Sequence, residues 1–390
     1  MMKKIYSRCS AGLLGCTLAV PCFAGITFGD VNDKTGELSI SGYVRAKYQD
    51  KNYGSDNDHK IQFDAAKINL DYDSANIFGH VEYRCYQYDT LCDFSTLVDG
   101  YLGYRFSPKQ NLTIGIQPVP FGVARFWEST LYGGINNTMG LEDAHNLGVN
   151  YHHEIASTKI DMAYFATDGG HYVGDSLDSA RYTANFVKSS DPTKSTLSEK
   201  NMWIARVSQD LKFIAAPDLK INVGGSYWYS DIENKSAGLT GSRQAWALFS
   251  SVGYDNLAFT LTGGKNSVNN KDLNNQDYSV MGSYDGEYDV ANKGYFYTAD
   301  VRYVLKDVYK DGLNITPYLT YSSYIKDVSG AKDSSRNFIG ASFDYKKVSL
   351  VAEYIFAKND PFIGGSSSAL AQGDNNKTNR LLNLTLFYYF

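Results

Sequence analysis

Apolar and polar residues alternate through most of this chain. At its end, Leu382, Leu384, Leu386, Tyr388 and Phe390 fall on one parity, with Asn383 and Thr385 on the other. A period of two marks a strand with one face in an apolar medium. The pattern recurs in sixteen segments: 38–48, 61–73, 77–85, 95–107, 112–117, 147–152, 159–167, 201–211, 219–230, 243–254, 257–265, 295–305, 314–325, 337–345, 348–357 and 381–390. Seven short turns and eight longer, mostly polar connections separate them. Such an asymmetry predicts an all-β chain, a transmembrane antiparallel β-barrel of 16 strands with both termini on the short-turn side. Eighteen strands is the alternative, with further strands in the connections 168–198 and 266–294. No second domain, helical segment or linker is evident.

The terminal strand runs to the last residue with no polar tail. In a soluble β-sandwich, the competing reading, such an edge invites pairing with other chains. In a closed barrel it pairs with the first strand and no edge remains. The stretch resembles the C-terminal strand of bacterial outer-membrane barrels. That resemblance implies that Phe390 is an assembly signal, that the barrel assembly machinery and outer-membrane lipid are partners, and that the cell is Gram-negative. The other end agrees. Lys3, Lys4 and Arg8 precede an apolar run, Ala11 to Val20, and Pro21-Cys22-Phe23-Ala24. This reads as a signal peptide, residues 1–24, cleaved after Ala24, with 25–390 as a single barrel domain. Leu13-Leu14-Gly15-Cys16 also resembles a lipobox, the rival reading of this end.

Cleavage removes three basic residues and no acid, which moves the formal net charge from −5 to −8. That excludes a nucleic-acid partner, which needs a basic footprint. No run of eighteen apolar residues is present, so a helical membrane protein is excluded too. Of five cysteines, Cys85 and Cys92 alone fall outside the signal, and in an exported protein they pair as a disulfide. The 32 Tyr suit a membrane–water boundary.

One further segment narrows the class. Ile114-Gly115-Ile116-Gln117-Pro118-Val119-Pro120-Phe121-Gly122 ends the fifth strand, and Gly140-Leu141-Glu142-Asp143-Ala144-His145-Asn146-Leu147-Gly148-Val149 follows about twenty residues on. Together they resemble the central region of the phosphate-selective porin O and P family. There a strand ending in a Pro-Phe-Gly-like turn opens a loop that folds into the pore. The resemblance implies an outer-membrane porin, commonly a homotrimer, with a water-filled channel. It covers about forty residues besides the barrel pattern. The family's phosphate selectivity rests on Arg and Lys along the pore, whereas the segment here offers Arg125 against Glu128, Glu142 and Asp143.

The residues of Pro118–Asn146 make the same point physically. The run is apolar for a loop, with Val119, Phe121, Val123, Phe126, Trp127, Leu131, Tyr132, Ile135 and Met139. It also carries Gly122, Gly133, Gly134 and Gly140, which permit sharp bends. Folding inward against the wall hides those apolar groups and makes the segment a constriction loop. Parity points Arg45, Lys47, Lys67, Arg84 and Arg105 into the lumen, with Arg206, Arg243 and Arg302. It points Asp71, Glu82 and Asp99 inward as well, along with Asp161, Asp210, Asp300, Asp344 and Glu353. Arg45, Arg84 and Arg105 are expected to form a wall facing the loop. Charges of both signs suit a diffusion pore for small hydrophilic solutes and ions; for any one of them, simple solvation of the wet face is the plainer alternative. A plugged barrel that binds a ligand or an adhesion partner is the second function class. Enzyme chemistry lacks a motif. His152-His153-Glu154 places neighbouring His residues on opposite faces of a strand, no zinc spacing occurs, and no cofactor is implied.

Overall fold

A computed structural model describes residues 25–33, 35–54, 60–309 and 312–390. The signal-peptide reading of residues 1–24, and its lipobox rival, lie outside the described residues. The described chain is strand throughout, apart from turns, loops and one 3-10 turn, Asn137–Met139.

β1 (Ile26–Gly29) lies against β2 (Glu37–Lys51), the first strand of the wall. β3 (Lys60–Asp73), β4 (Ile77–Tyr86), β5 (Phe94–Ser107), β6 (Gln110–Pro118), β7 (His145–Ile155) and β8 (Thr158–Asp168) follow. β9 (Asn185–Phe186) sits in the next long connection. The wall resumes with β10 (Leu197–Leu211), β11 (Leu219–Asn234), β12 (Leu239–Tyr254) and β13 (Leu257–Asn269). β14 (Tyr278–Ser283) and β15 (Gly286–Ala291) leave it as a hairpin, and β16 (Lys293–Tyr303) returns. After the short β17 (Leu305–Tyr309), the strands β18 (Leu313–Lys326), β19 (Ser334–Tyr345), β20 (Val348–Lys358) and β21 (Asn379–Tyr389) complete the wall.

Every wall pairing is antiparallel, and β21 pairs with β2, Tyr389 opposite Tyr43 and Leu381 opposite Lys51. The cylinder closes at sixteen wall strands, with β1 and β17 as short additions to the 18-stranded sheet. The connections 168–198 and 266–294 do contain strands, but these do not enlarge the barrel. β9, β14 and β15 form a separate three-stranded sheet.

Alternation explains the wall. Leu102, Ile114, Met162, Trp203 and Leu248 all point outward and are at least 60% exposed. Water does not tolerate an apolar band of that extent, and lipid does. β-bulges break strict parity at several points of the wall, β5 and β3 among them. On β5, Glu82 faces Asp99 and Tyr83 faces Leu97, so Val98 is the extra residue. Val98, on the lipid-facing parity by simple counting, is fully buried. On β3, Arg45 faces Ala65 and Ala46 faces Phe63, which turns Asp64 into the lumen. The fifth outer connection is also shorter than its polar sequence implies, because β11 and β12 run on to pair Asn234 with Leu239. Cys85 and Cys92 are joined in a disulfide across L2 (87–93).

The main core lies inside the barrel. L3 (119–144) leaves β6, folds inward and returns to β7. Its Phe121, Trp127, Ile135 and Met139 pack with Phe165, Trp228, Phe249 and Phe296 of β8, β11, β12 and β16. Trp127 stacks on Phe296 at 5.6 Å between ring centroids, and Phe121 meets Trp228 at 5.7 Å. Each such side chain contributes about 1.5–3 kcal/mol by leaving water. L4 (169–196), L6 (270–292) and L8 (359–378) extend this core toward the long-loop end. Phe186, Val290 and Leu370 are their contributions.

Candidate functional site

L3 is nearly devoid of regular structure, so its backbone groups need partners elsewhere. The wall supplies them. Gly122 turns with φ 74°, where an added Cβ would strike the Trp127 ring, and its N–H donates to Ser226 Oγ at 2.9 Å. Arg206 donates to the Gly122 and Val123 carbonyls at 2.8 and 2.6 Å. Asp300 accepts from Ser129 N and Oγ at 3.1 and 2.7 Å. Glu353 accepts from Leu131 N at 2.7 Å, and Ser322 Oγ from Ile135 N at 2.9 Å. Arg336 donates to the Gly133 carbonyl at 2.9 Å, and Arg243 to the Met139 carbonyl at 3.0 Å. The loop is thus fastened along its length by inward polar residues of β10 to β12, β16 and β18 to β20.

This corrects part of the lumen reading. Arg206 and Arg243 point inward as parity requires, but they lie behind L3. Arg243 is fully buried, paired with Glu199 and stacked over Trp228. Asp300 and Glu353 serve the same fastening. Arg105 does not face L3 either; it pairs with Asp73 at 2.5 Å and caps the Ser74 carbonyl beside a short turn. Arg302 is half-buried near the end of β16, and Asp71 sits with His80 at 2.6 Å at the same end of β3. Asp161 pairs with Arg206 and His152, Asp210 with Lys159, and Asp344 accepts from Ser342 and Ser349.

The remaining predicted residues converge. Between L3 and the wall of β2, β3, β4 and β21 lies a cavity of about 750 Å³. Arg45, Lys47, Lys67 and Arg84 line it from the wall, and Arg125, Glu128, Glu142 and Asp143 from the loop. Wall charges are interleaved. Asp64 pairs with Arg45 and, at 2.9 Å, with Lys47; Glu82 pairs with Arg84 and, at 3.6 Å, with Lys67. Arg125 bridges loop and wall, with Asp143 at 2.5 Å, Asp99 at 3.4 Å and Glu82 at 3.6 Å. His145 joins Asp99 and Asp143 at 2.7 and 2.8 Å, and Tyr182 donates to Asp143 at 2.5 Å. Burial alone would raise the Asp143 carboxyl; Arg125 and His145 outweigh it and hold it below the usual range.

Glu128 and Glu142 behave differently. They face each other rather than the wall bases. Gly134 N donates to Glu128 Oε1, and Trp127 N to Glu142 Oε1 at 2.7 Å. The second oxygen of each carboxyl is buried without a hydrogen-bond partner. Burial, with Asp300 behind it, pushes Glu128 up to about 7; burial and the neighbouring Glu128 push Glu142 up as well.

Several lining residues escaped sequence reasoning. Arg336 and Asp360 pair at 2.6 Å beneath L3, and Arg336 reaches the cavity. Extending the 337–345 segment by one residue puts Arg336 on the parity of Asp344. Tyr182 and Tyr284 come from L4 and L6, where no periodicity marks them. Nor do the tyrosines keep to a membrane boundary, since Tyr43, Tyr86 and Tyr389 also face the cavity. Phe390 lies on the outward parity, its backbone bonded to Gly42 in both directions, and its ring fills the place of a Gly42 side chain. His152 and His153 go to separate partners, Asp161 at 2.7 Å and Gln110 at 3.0 Å. Among the described residues, the one cluster with metal-ligand character is His80, Glu82 and Asp99, within 4.8 Å of one another; Arg125 already neutralises its two acids.

No protein-family model and no curated protein matches the chain. Solved structures do. The outer membrane channel DcaP of Acinetobacter baumannii superposes with a TM-score of 0.61 at 12% identity, covering 94% of this chain and all of that one. Salmonella typhi OmpF, solved with daunomycin, gives 0.57 at 12%, covering 91% and 98%. The trimer form of OmpT, an outer membrane protein of Vibrio cholerae, gives 0.55 at 12%, covering 92% and 100%. At such identity the likeness establishes the barrel fold.

Proposed function

We propose that the chain is an outer-membrane porin of a Gram-negative bacterium, exported through a cleaved signal peptide. Its channel passes small hydrophilic solutes and ions by diffusion. The cavity between L3 and the β2–β4 and β21 wall carries this reading, because charges of both signs line it and its lining runs from Tyr88 and Tyr284 of the outer loops to Phe387 and Tyr389 near the end of β21. L3 is the constriction, and Arg125, Glu128, Glu142 and Asp143 set the field there with the wall bases Arg45, Lys47, Lys67 and Arg84. Lipid surrounds the outward band. Phe390 marks the terminal strand for the assembly machinery, and the barrel associates as a homotrimer, the form named for the Vibrio cholerae protein. The channel needs no cofactor and performs no chemistry on its solutes. The resemblance to the phosphate-selective O and P porins rests on Ile114–Gly122 and Gly140–Val149, the two ends of L3.

A plugged barrel that binds a ligand is the second reading, favoured by the sheet of β9, β14 and β15 inside the long-loop end. Planar-bilayer recording of the purified protein separates them. Stepwise conductance is expected, and deleting Arg125–Met139 should raise it. A folded barrel that never conducts would leave the plugged reading standing.

A further inference from the structure

Aromatic rings and charges are not mixed at random on the cavity wall. One aromatic track begins with Tyr88 and Tyr284 at the long-loop end, where Tyr88 donates to the Tyr284 carbonyl at 3.0 Å. It continues through Tyr86, 5.8 Å from Tyr284, to Tyr43, which meets Phe387 at 5.2 Å and Tyr389 at 6.0 Å near the end of β21. Arg45 sits between the two groups of rings, 5.6 Å from both Tyr86 and Phe387 and 5.7 Å from Tyr43. Lys67 lies 5.1 Å from Tyr43, and Arg84 lies 5.0 Å from Tyr182. L3 faces this track with Phe126 and Tyr132.

Three properties follow. Ring faces bind the apolar faces of ring-shaped solutes, and cations over them hold a negative group close by. The wall also offers acceptors beside every cation: Asp64 beside Arg45 and Lys47, Glu82 beside Arg84 and Lys67. An inorganic anion such as hydrogenphosphate offers acceptors but few donors and has no apolar face, so it uses only part of such a wall. Finally, Asn69 and Thr130 set an amide and a hydroxyl among the charges of the lining. A ligand that matches such a lining carries hydroxyls as well as charge. A cavity of about 750 Å³ falls within the range of small-molecule sites.

We propose that this track is a binding path for acidic monosaccharides: a sugar ring that lies on the aromatic faces, presents its hydroxyls to the acid–base pairs, and places one carboxylate or phosphate group beside Arg45, Lys67 and Arg84. The proposal rests on the pore reading. The sugar ring is the shared chemistry, and the anionic group comes from a uronic acid or from a sugar phosphate.

The test is block of single-channel ion current by added solute, using glucuronate, glucose 6-phosphate, glucose, benzoate and inorganic phosphate in turn. At least one sugar acid is expected to block at a concentration about tenfold below glucose, benzoate and phosphate alike, a difference readily read as residence time. Whichever of the two blocks more strongly identifies the anionic group. The double variant Tyr43→Leu/Phe387→Leu removes two aromatic faces while keeping apolar bulk, and it should abolish the preference with ion conductance retained. If that variant fails to insert, Arg45→Gln, which keeps the rings, should weaken sugar-acid block and leave glucose unaffected. Strongest block by phosphate reduces the path to an anion site and overturns the inference; strongest block by benzoate overturns the sugar. Channels that conduct but show no preference sink the inference and leave the pore intact. Absence of conductance removes the pore reading and this one with it.

Discussion

The two halves of the barrel interior are made from the same alternation of residues and end as opposite materials. On the β8 to β16 side, L3 lays Phe121, Trp127, Ile135 and Met139 on Trp228, Phe249 and Phe296 in a dry core. On the β2 to β4 side, the same loop presents Phe126, Arg125 and Tyr132 across an open cavity. The strands decide which half is filled. β11, β12 and β16 turn Trp228, Ala245, Ala247, Phe249 and Phe296 inward, an apolar patch set among polar groups such as Ser226, Arg243 and Asp300 that hold the L3 backbone. β2, β3 and β4 turn Arg45, Lys47, Lys67, Glu82 and Arg84 inward. Drying such charges costs several kcal/mol each, so a loop with one apolar side settles on the other wall. An off-centre cavity is the consequence, and a single segment is at once a packed element and a cavity lining.

The sharpest way to break this contrast is to cut one ring from each face of L3. Trp127→Ala opens a cavity in the dry half and should cost about 3–5 kcal/mol. Phe126, half-buried over the Arg125 guanidinium at 5.0 Å, should cost about 1 kcal/mol when replaced by Ala. Denaturant unfolding in detergent micelles measures both. Arg243→Met joins the large class, because Glu199 loses its buried partner. Equal destabilisation by Trp127→Ala and Phe126→Ala would mean that the loop is not divided into a packed and a wet face.

The disulfide comes next in size. Cys85–Cys92 closes L2, which carries Tyr88 to the rim of the cavity. Replacing both cysteines with Ser should cost about 2–3 kcal/mol in the chain-entropy account of a short loop. The unreduced protein should contain no thiol that reacts with a labelling reagent. Two reactive thiols would detach L2 from any role in shaping the rim.

How much of this was legible follows from what alternation can encode. All sixteen wall segments and the closing pair of first and last strands are visible as period two, because lipid demands one apolar face from every strand. L3 is visible because its apolar side chains have no place in water. Asp64 is not visible, since a bulge reverses its face, and Val98 is misplaced for the same reason. Parity says that Arg206, Arg243, Asp300 and Glu353 point inward; it does not say that a loop backbone waits there with unmet hydrogen bonds. Tyr182 and Tyr284 reach the cavity from L4 and L6, whose packing depends on distant partners such as Asp143 and Tyr86.

Charge substitutions sharpen the contrast without unfolding anything. Lys47→Gln with Lys67→Gln removes two bases from the wet wall and should shift the reversal potential in a salt gradient toward cations. The stability change should stay at about 1 kcal/mol, because Asp64 and Glu82 keep Arg45 and Arg84 as partners. An unchanged reversal potential would show that ions do not pass along this wall.

The smallest effect is a pH dependence set by Glu128 and Glu142, which belong to L3 and not to a spanning strand. Two neighbouring buried carboxyls do not both ionise readily. Asp300 on β16 adds to the repulsion at Glu128, Arg336 on β19 offsets part of it, and Asp143 adds to the repulsion at Glu142. Below about 7, the value to which Glu128 is pushed, Glu128 holds its proton; above it, Glu128 carries charge beside a Glu142 that is also pushed up. The folded-state values lie above the ordinary range, so the pair's contribution to stability is full at acid pH and is lost as pH rises through about 7. The pore gains one negative charge over the same interval. Raising the pH from about 5 to about 9 should therefore move the reversal potential toward cations by a few millivolts, with a midpoint near neutrality. Glu128→Gln leaves Glu142 without a competing carboxylate and should abolish that step while conductance persists. A step that survives in Glu128→Gln would assign the titration to the wall instead, and the wet half would then set its own charge without help from the loop.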